Sequence, residues 1–246
     1  MTPATTSSPL LLAEGLTRRF GGVLAVNGFD LQVWPGEIVG LVGPNGAGKT
    51  TTFNLISGFL RPTAGRLMFD GADITGLSPS SISRRGLIRT FQHASLLSEL
   101  TAEENIMVGT LKSINDSSGR KARIKEVAAM TGLTKLLGVR AGSLPHGQQR
   151  LLSMAIAIAA RPRLLGLDEP LTGLVGFEVE AALRLMQSLR EEQGTSIILV
   201  DHNMGAVMKT CDRIVVLHHG KLLAEGKPLE IRNNEEVIKA YLGDPE

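Results

Sequence analysis

Eight consecutive residues, Gly43-Pro44-Asn45-Gly46-Ala47-Gly48-Lys49-Thr50, have the types and spacing needed to hold a run of phosphates. The glycines let backbone N–H groups converge on an anion, Lys49 brings a point charge, and the Thr50 hydroxyl suits Mg²⁺. Thr51 follows and opens a helical pattern to residue 56, whose N-terminal dipole adds positive potential at the same spot. Phosphate chemistry of this kind needs a second, acidic element that holds the metal and aims a water. Leu164-Leu165-Gly166-Leu167-Asp168-Glu169-Pro170 is an apolar strand pattern ending in two carboxylates. At the carboxyl end of such a strand, Asp168 is placed to ligate Mg²⁺ and Glu169 to face the γ-phosphate. A glycine-rich turn and an Asp-Glu pair are each common structural features. Their combination points to a nucleoside triphosphate.

The elements that must position these residues follow from the apolar patterning. Residues 10–20 and 33–42 read as strands, broken by Gly21-Gly22 and Pro35-Gly36. A turn at 61–65 leads into a strand and a second turn at 66–71. From residue 78 to about 142, short amphipathic helices alternate with polar loops, and 115–121 reads as an exposed loop. Residues 147–160 form a helical stretch stopped by Pro162. Then come a buried strand at 164–167, a helix at 178–192, and strands at 196–200 and 214–217. Strands alternating with helices predict a largely parallel sheet. Residues 1–9, polar and rich in Thr, Ser and Pro, are predicted to be a flexible leader.

Composition narrows the partners. With 246 residues and 43% hydrophobic content, the chain can bury a substantial core. The 26 basic and 24 acidic residues leave a formal charge of +2, so nothing calls for nucleic acid. The single cysteine, Cys211, lies in an apolar stretch and reads as a packed thiol in a reducing compartment. The longest apolar run, residues 151–160, is far short of the ~20 residues that cross a bilayer.

Just before the acidic strand stands Ser143-Leu144-Pro145-His146-Gly147-Gln148-Gln149-Arg150. A phosphate loop, then L-x-x-G-Q-Q, then apolar-Asp-Glu-Pro resembles the ATP-binding subunits of ABC transporters. The resemblance implies an α/β fold with a P-loop NTPase (RecA-like) core, an antiparallel β subdomain and an α-helical signature subdomain near 78–160. It implies one ATPase domain over 10–243, with a family tail from about 220. ATP and Mg²⁺ are the implied cofactors. Leu144, Pro145, His146, Gly147 and Gln148 correspond to the signature segment, whose helix N-terminus meets the γ-phosphate of ATP held by another subunit. A second ABC ATPase subunit, identical or paralogous, is therefore implied. Gln92, in Thr90-Phe91-Gln92, resembles the Q-loop residue that touches Mg²⁺ or the attacking water. His202 resembles the switch histidine on the γ-phosphate, and Phe20 sits where an aromatic packs on adenine.

Three segments narrow the resemblance to the branched-chain (hydrophobic) amino-acid uptake ATPases: Arg18-Arg19-Phe20-Gly21-Gly22, Gly86-Leu87-Ile88-Arg89-Thr90-Phe91-Gln92, and Ala240-Tyr241-Leu242-Gly243 with the residues before it. That family implies transmembrane permease subunits, indirectly a substrate-binding protein, and a place on the cytoplasmic face of the membrane. Importers of urea or amides, and exporters of lipid or lipopolysaccharide, share the same motifs. A soluble ABC protein would carry two cassettes or a long coiled-coil insertion, and a GTPase an N-K-x-D motif. Neither is present. Four positions depart from the family pattern: Pro145 in place of a serine, His146 in place of Gly or Tyr, Ile156 in place of an arginine, and Val175 in place of Asp or Asn. Gly166 also interrupts the acidic strand. These departures predict one weaker composite site when the chain is paired with a paralogue.

Overall fold

The computed structural model describes residues 8–90 and 96–242. The leader up to residue 7, the Q-loop residue Gln92 and the end of the tail from residue 243 lie outside them. In chain order the described elements are β1 (Leu11–Phe20), β2 (Val23–Val33), β3 (Ile38–Val42), α1 (Lys49–Ile56), β4 (Ala64–Phe69), β5 (Ala72–Asp73), α2 (Pro79–Arg84), β6 (Leu87–Arg89), α3 (Ala102–Thr110), α4 (Ser117–Met130), α5 (His146–Ala159), β7 (Leu164–Asp168), α6 (Gly176–Gln193), β8 (Ser196–Val200), α7 (Met204–Thr210), β9 (Arg213–His218), β10 (Lys221–Gly226), α8 (Pro228–Arg232) and α9 (Glu235–Leu242). They fall into two compact units: Met1–Ile82 with Cys211–Glu246, and Ser83–Thr210.

In the first unit, β2, β1, β4 and β5 form an antiparallel sheet in that order. Strand β3 runs parallel to β9, which pairs antiparallel with β10. Every residue of β3 is buried, as a strand covered on both faces requires. Arg213 at the start of β9 ties the unit together: its guanidinium grips both Glu37 oxygens at 2.8 and 3.0 Å, pairs with Glu225, and donates to the Gln32 carbonyl at 2.6 Å.

The sequence reading misses β2 altogether. Its buried positions are Val26, then Phe29, Leu31 and Val33, so the alternation changes phase at Gly28. Gly28 adopts φ 61°, and the β1–β2 register shifts around it. Such a bulge hides a strand from any strict period-two search. The strand expected over 33–42 also begins later, at Ile38. Residues 34–37 form a turn in which Glu37 N donates to the Trp34 carbonyl at 3.1 Å and Trp34 N to the Glu37 carboxylate at 2.9 Å.

In the second unit, β6, β7 and β8 are parallel neighbours. Strands β7 and β8 are buried at every position, consistent with the expected apolar runs. Helices α3, α4 and α5 pack on one another. Thr101 and Glu104 cap α3 reciprocally: Glu104 N donates to Thr101 Oγ1 and Thr101 N to Glu104 Oε2. The exposed loop expected over 115–121 is instead the start of α4. Asp116 accepts from Gly119 N at 2.6 Å, so the polar run that reads as a loop is an N-cap followed by a first turn.

Candidate functional site

The phosphate loop joins β3 to α1 within the first unit. Gly43 has φ 152°, and a side chain there would place its Cβ 2.2 Å from the Leu217 carbonyl oxygen. Gly48 has φ 103°, and its Cβ would come within 2.6 Å of the Ala25 carbonyl. The loop is thus wedged between β2 and the strands around it, and the overlooked β2 forms one wall. Ala47 N donates to the Pro44 carbonyl and Gly220 N to the Ala47 carbonyl, at 3.1 and 2.9 Å. Asn45, Gly46 and Thr50 are exposed, while Lys49 is buried. The Lys49 ammonium folds back on the loop, donating to the carbonyls of Gly43 and Pro44 at 2.7 and 2.9 Å. No side chain caps α1, so its first amides are available to an anion. Thr51 lies in its first turn.

Sequence reasoning named Tyr241 in the tail but did not find its contact with this loop. Burial raises its hydroxyl pKa above the ordinary value, and a hydrogen bond with the Gly43 backbone partly offsets that. The tail helix α9 therefore touches the first glycine of the loop. Phe20 ends β1 with 43% of its surface exposed, and the Arg18 guanidinium lies 4.6 Å from its ring centroid. One face of the ring is engaged by a cation.

In the second unit, Asp168 and Glu169 close β7. Asp168 is buried, and its Oδ2 accepts from Arg89 Nη2 at 2.7 Å. Glu169 adopts φ 48°, a left-handed conformation that costs a non-glycine residue about 1–3 kcal/mol. Its N–H donates to the Val200 carbonyl at 2.7 Å, which holds the turn against β8. The Glu169 carboxylate reaches His202 Nε2 at 2.9 Å, with side chains 17% and 50% exposed. The structure brings this pair together although 33 positions separate them in sequence.

Asp201, between β8 and His202, is a further residue that sequence reasoning missed. Buried at 4% exposure, it accepts from Leu171 N at 3.1 Å and from Asn203 N at 2.8 Å. It joins the segment after Glu169 to the segment carrying His202. Asp201→Ala is expected to leave the buried Leu171 amide unpaired, at a cost of about 1–3 kcal/mol. Chemical denaturation would measure the loss, and turnover should fall alongside it. The only signal in the sequence was its place beside His202.

The signature segment begins α5. Leu144 is buried, Pro145 and His146 are exposed, and Gly147 is buried with Gln148 partly so. Pro145 offers no side-chain cap, so the amides of the first turn remain open to an anion. Two neighbours bound this spot. A Cβ on Gly147 would lie 2.3 Å from Glu178 Oε1, and one on Gly173 would lie 2.8 Å from the His146 ring. Glu178 Oε2 also accepts from Val175 N at 3.0 Å, one half of a capping box whose other half Val175, with no side-chain oxygen, does not supply. Ile156 lies ten residues along α5, about 15 Å from the segment at 1.5 Å per residue. It lines a groove of 710 Å³ instead, with Val108 and Leu111, beside Arg84, Arg85 and Lys112.

Each unit offers a hard oxygen donor of the kind Mg²⁺ takes, a hydroxyl at Thr50 in the first and a carboxylate at Asp168 in the second. Among the described residues no group of three or more His, Cys, Asp or Glu side chains forms an all-protein cage. Cys211 is buried, and burial raises its thiol pKa well above the ordinary value, which removes it from chemistry. No helix among the described residues is long and apolar enough to cross a membrane.

The ABC transporter family profile matches residues 26–172, and the profile "Branched-chain amino acid ATP-binding cassette transporter" matches residues 221–246. The chain is similar to the high-affinity branched-chain amino acid transport ATP-binding protein BraF of Pseudomonas aeruginosa, with 43% identity over 97% of this chain and 99% of that protein. Its fold is similar to a crystal structure of a nucleotide-free ATP-binding cassette from an ABC transporter, with TM-score 0.86, 26% identity, and coverage of 96% and 100% of the two chains. It is also similar to a dimeric ATP-binding cassette in a post-hydrolysis state bound to ADP and phosphate, with TM-score 0.80, 26% identity, and coverage of 89% and 98%.

Proposed function

The chain belongs to the ABC transporter family, in its branched-chain amino acid ATP-binding branch, and on that premise we propose how its residues divide the work. It is an ATP-binding, ATP-hydrolysing subunit that energises an importer of branched-chain amino acids. The observation that best supports the hydrolytic assignment is the 2.9 Å hydrogen bond between Glu169 and His202. A carboxylate held by an imidazole at the ends of adjacent parallel strands is a base with a fixed orientation.

Lys49 and the loop amides take the phosphates of ATP, with Gly43 to Thr51 forming the cradle and Phe20 stacking on adenine. Thr50, Asp168 and Gln92 are the residues that would hold Mg²⁺, which would supply positive charge to neutralise the phosphates. Glu169 accepts the proton of the attacking water. His202 keeps that carboxylate aimed and donates toward the γ-phosphate as charge develops, and Gln92 orients the water. Leu144 to Gln148 serve the ATP of a second ATPase subunit: with Pro145 in place of a hydroxyl, amides and helix dipole act without a side-chain donor.

The groove lined by Ile156 is proposed as the permease surface. Its arginines and lysine favour a permease segment with acidic side chains, and that contact places the subunit on the cytoplasmic face of the membrane. The test is reconstitution of the chain with permease subunits and a binding protein in vesicles. ATP-driven uptake of leucine supports the reading. Uptake of urea, or export of lipid, by the same assembly would overturn the cargo assignment.

A further inference from the structure

Arg89 has no role in the reading above, yet its contact with Asp168 is among the most buried ion pairs in the second unit. The two side chains are 8% and 5% exposed, and the bond runs from Nη2 to a single carboxylate oxygen, Oδ2, at 2.7 Å. The backbone around the pair is clamped as well. Arg89 ends β6 opposite Gly166 of β7; Thr90 N donates to the Gly166 carbonyl at 2.9 Å, and Asp168 N donates to Thr90 Oγ1 at 3.3 Å. Arg89 and Thr90 thus hold both the carboxylate and the amide of Asp168.

A purely structural role accounts poorly for this arrangement. A buried ion pair is on balance worth little more than a well-packed apolar pair, so stability alone gives weak reason to keep it. A carboxylate that is to receive a cation is different: it needs an anchor that fixes its direction and leaves lone pairs unused. Engagement through Oδ2 alone supplies that, whereas a two-pronged arginine contact would occupy both oxygens.

We propose that Arg89 is a positioning residue for Mg²⁺: it pins Asp168 through Oδ2 and leaves Oδ1 as the atom offered to the metal. The proposal rests on the reading of Asp168 as a metal ligand. A guanidinium suits the task because its charge is permanent and its planar nitrogens fix direction, where an ammonium would act as a rotating point charge.

The experiment measures ATP binding by the purified full-length chain in excess Mg²⁺ and in EDTA, and takes the ratio of the two affinities. Arg89→Gln is expected to bind metal-free ATP within about twofold of the unmodified protein and to lose about tenfold or more of the Mg²⁺ enhancement, the usual size of an effect exerted through a metal ligand. Arg89→Lys should recover part of it. An unchanged ratio in Arg89→Gln overturns the proposal, as does an equal loss of binding with and without metal. If Arg89→Gln does not fold, Arg89→Lys decides: about a twofold fall in the ratio supports positioning, and no fall overturns it. Asp168→Asn in the same assay separates the two claims. If it leaves the ratio intact, Asp168 is not a metal ligand. If it lowers the ratio while the Arg89 variants do not, only the role of Arg89 fails.

Discussion

Glu169→Gln is expected to bind MgATP normally and hydrolyse it about 10²–10⁴-fold more slowly, the range removed with a general base. Glutamine keeps the shape of the side chain and can still hydrogen-bond His202, so the left-handed turn at Glu169 and its bond to Val200 should survive. Only the capacity to accept a proton is lost. At 25 °C that range corresponds to about 3–5 kcal/mol in the barrier, too large for a surface carboxylate that merely tunes the field. Because cleavage stops after binding, ATP should accumulate in a closed dimer. Size-exclusion chromatography with ATP would show a dimer peak in the variant that the unmodified protein loses as it turns over. Turnover within about threefold of the unmodified protein would remove Glu169 from the role of base.

Lys49→Ala should fail earlier, at binding. The Lys49 ammonium now donates to the carbonyls of Gly43 and Pro44 at 2.7 and 2.9 Å, so it holds the loop shape as well as carrying charge. A hydrogen bond to a charged group contributes about 1.5–3 kcal/mol, so nucleotide affinity should fall roughly 10–100-fold. Isothermal titration with a slowly hydrolysed ATP analogue would measure it. Lys49→Arg should rescue little, because a planar guanidinium cannot reproduce a compact ammonium lodged between two carbonyls. Unchanged affinity in Lys49→Ala would count against the loop as the phosphate site.

The chemistry was legible because it is written in short spacings. A glycine-rich loop between a strand and a helix, or two carboxylates at a strand end, is a local backbone device, and few residues suffice to build it. Strands β7 and β8 and helix α5 were legible for a related reason: continuous apolar runs and strong helical periodicity survive without tertiary context. Strand β2 was not, because Gly28 reverses its alternation midway. The start of α4 was not, because the Asp and Ser residues that cap a helix also favour loops, and only the bond from Gly119 N to Asp116 distinguishes the two.

The departures from the family pattern also separated in space. Pro145 and Val175 border the signature turn, with Glu178 lying against Gly147, whereas Ile156 belongs to the groove wall. Sequence order placed Pro145 and Ile156 on one helix and Val175 beyond the next strand, and could not say which surface each would meet.

By itself the sequence pointed to a nucleoside triphosphate, through residue types at short, ordered intervals, and the family resemblance those motifs carry implied the ATPase reaction and the branch. The tertiary structure alone decided what holds the reacting groups in place: Arg89 on Asp168 across 79 positions, Asp201 on Leu171 across 30, and Tyr241 at the Gly43 backbone. Those contacts arise where strands and helices distant in the chain pack together. No local pattern specifies such a pairing, because a buried charge finds its partner only after the fold has excluded water from both.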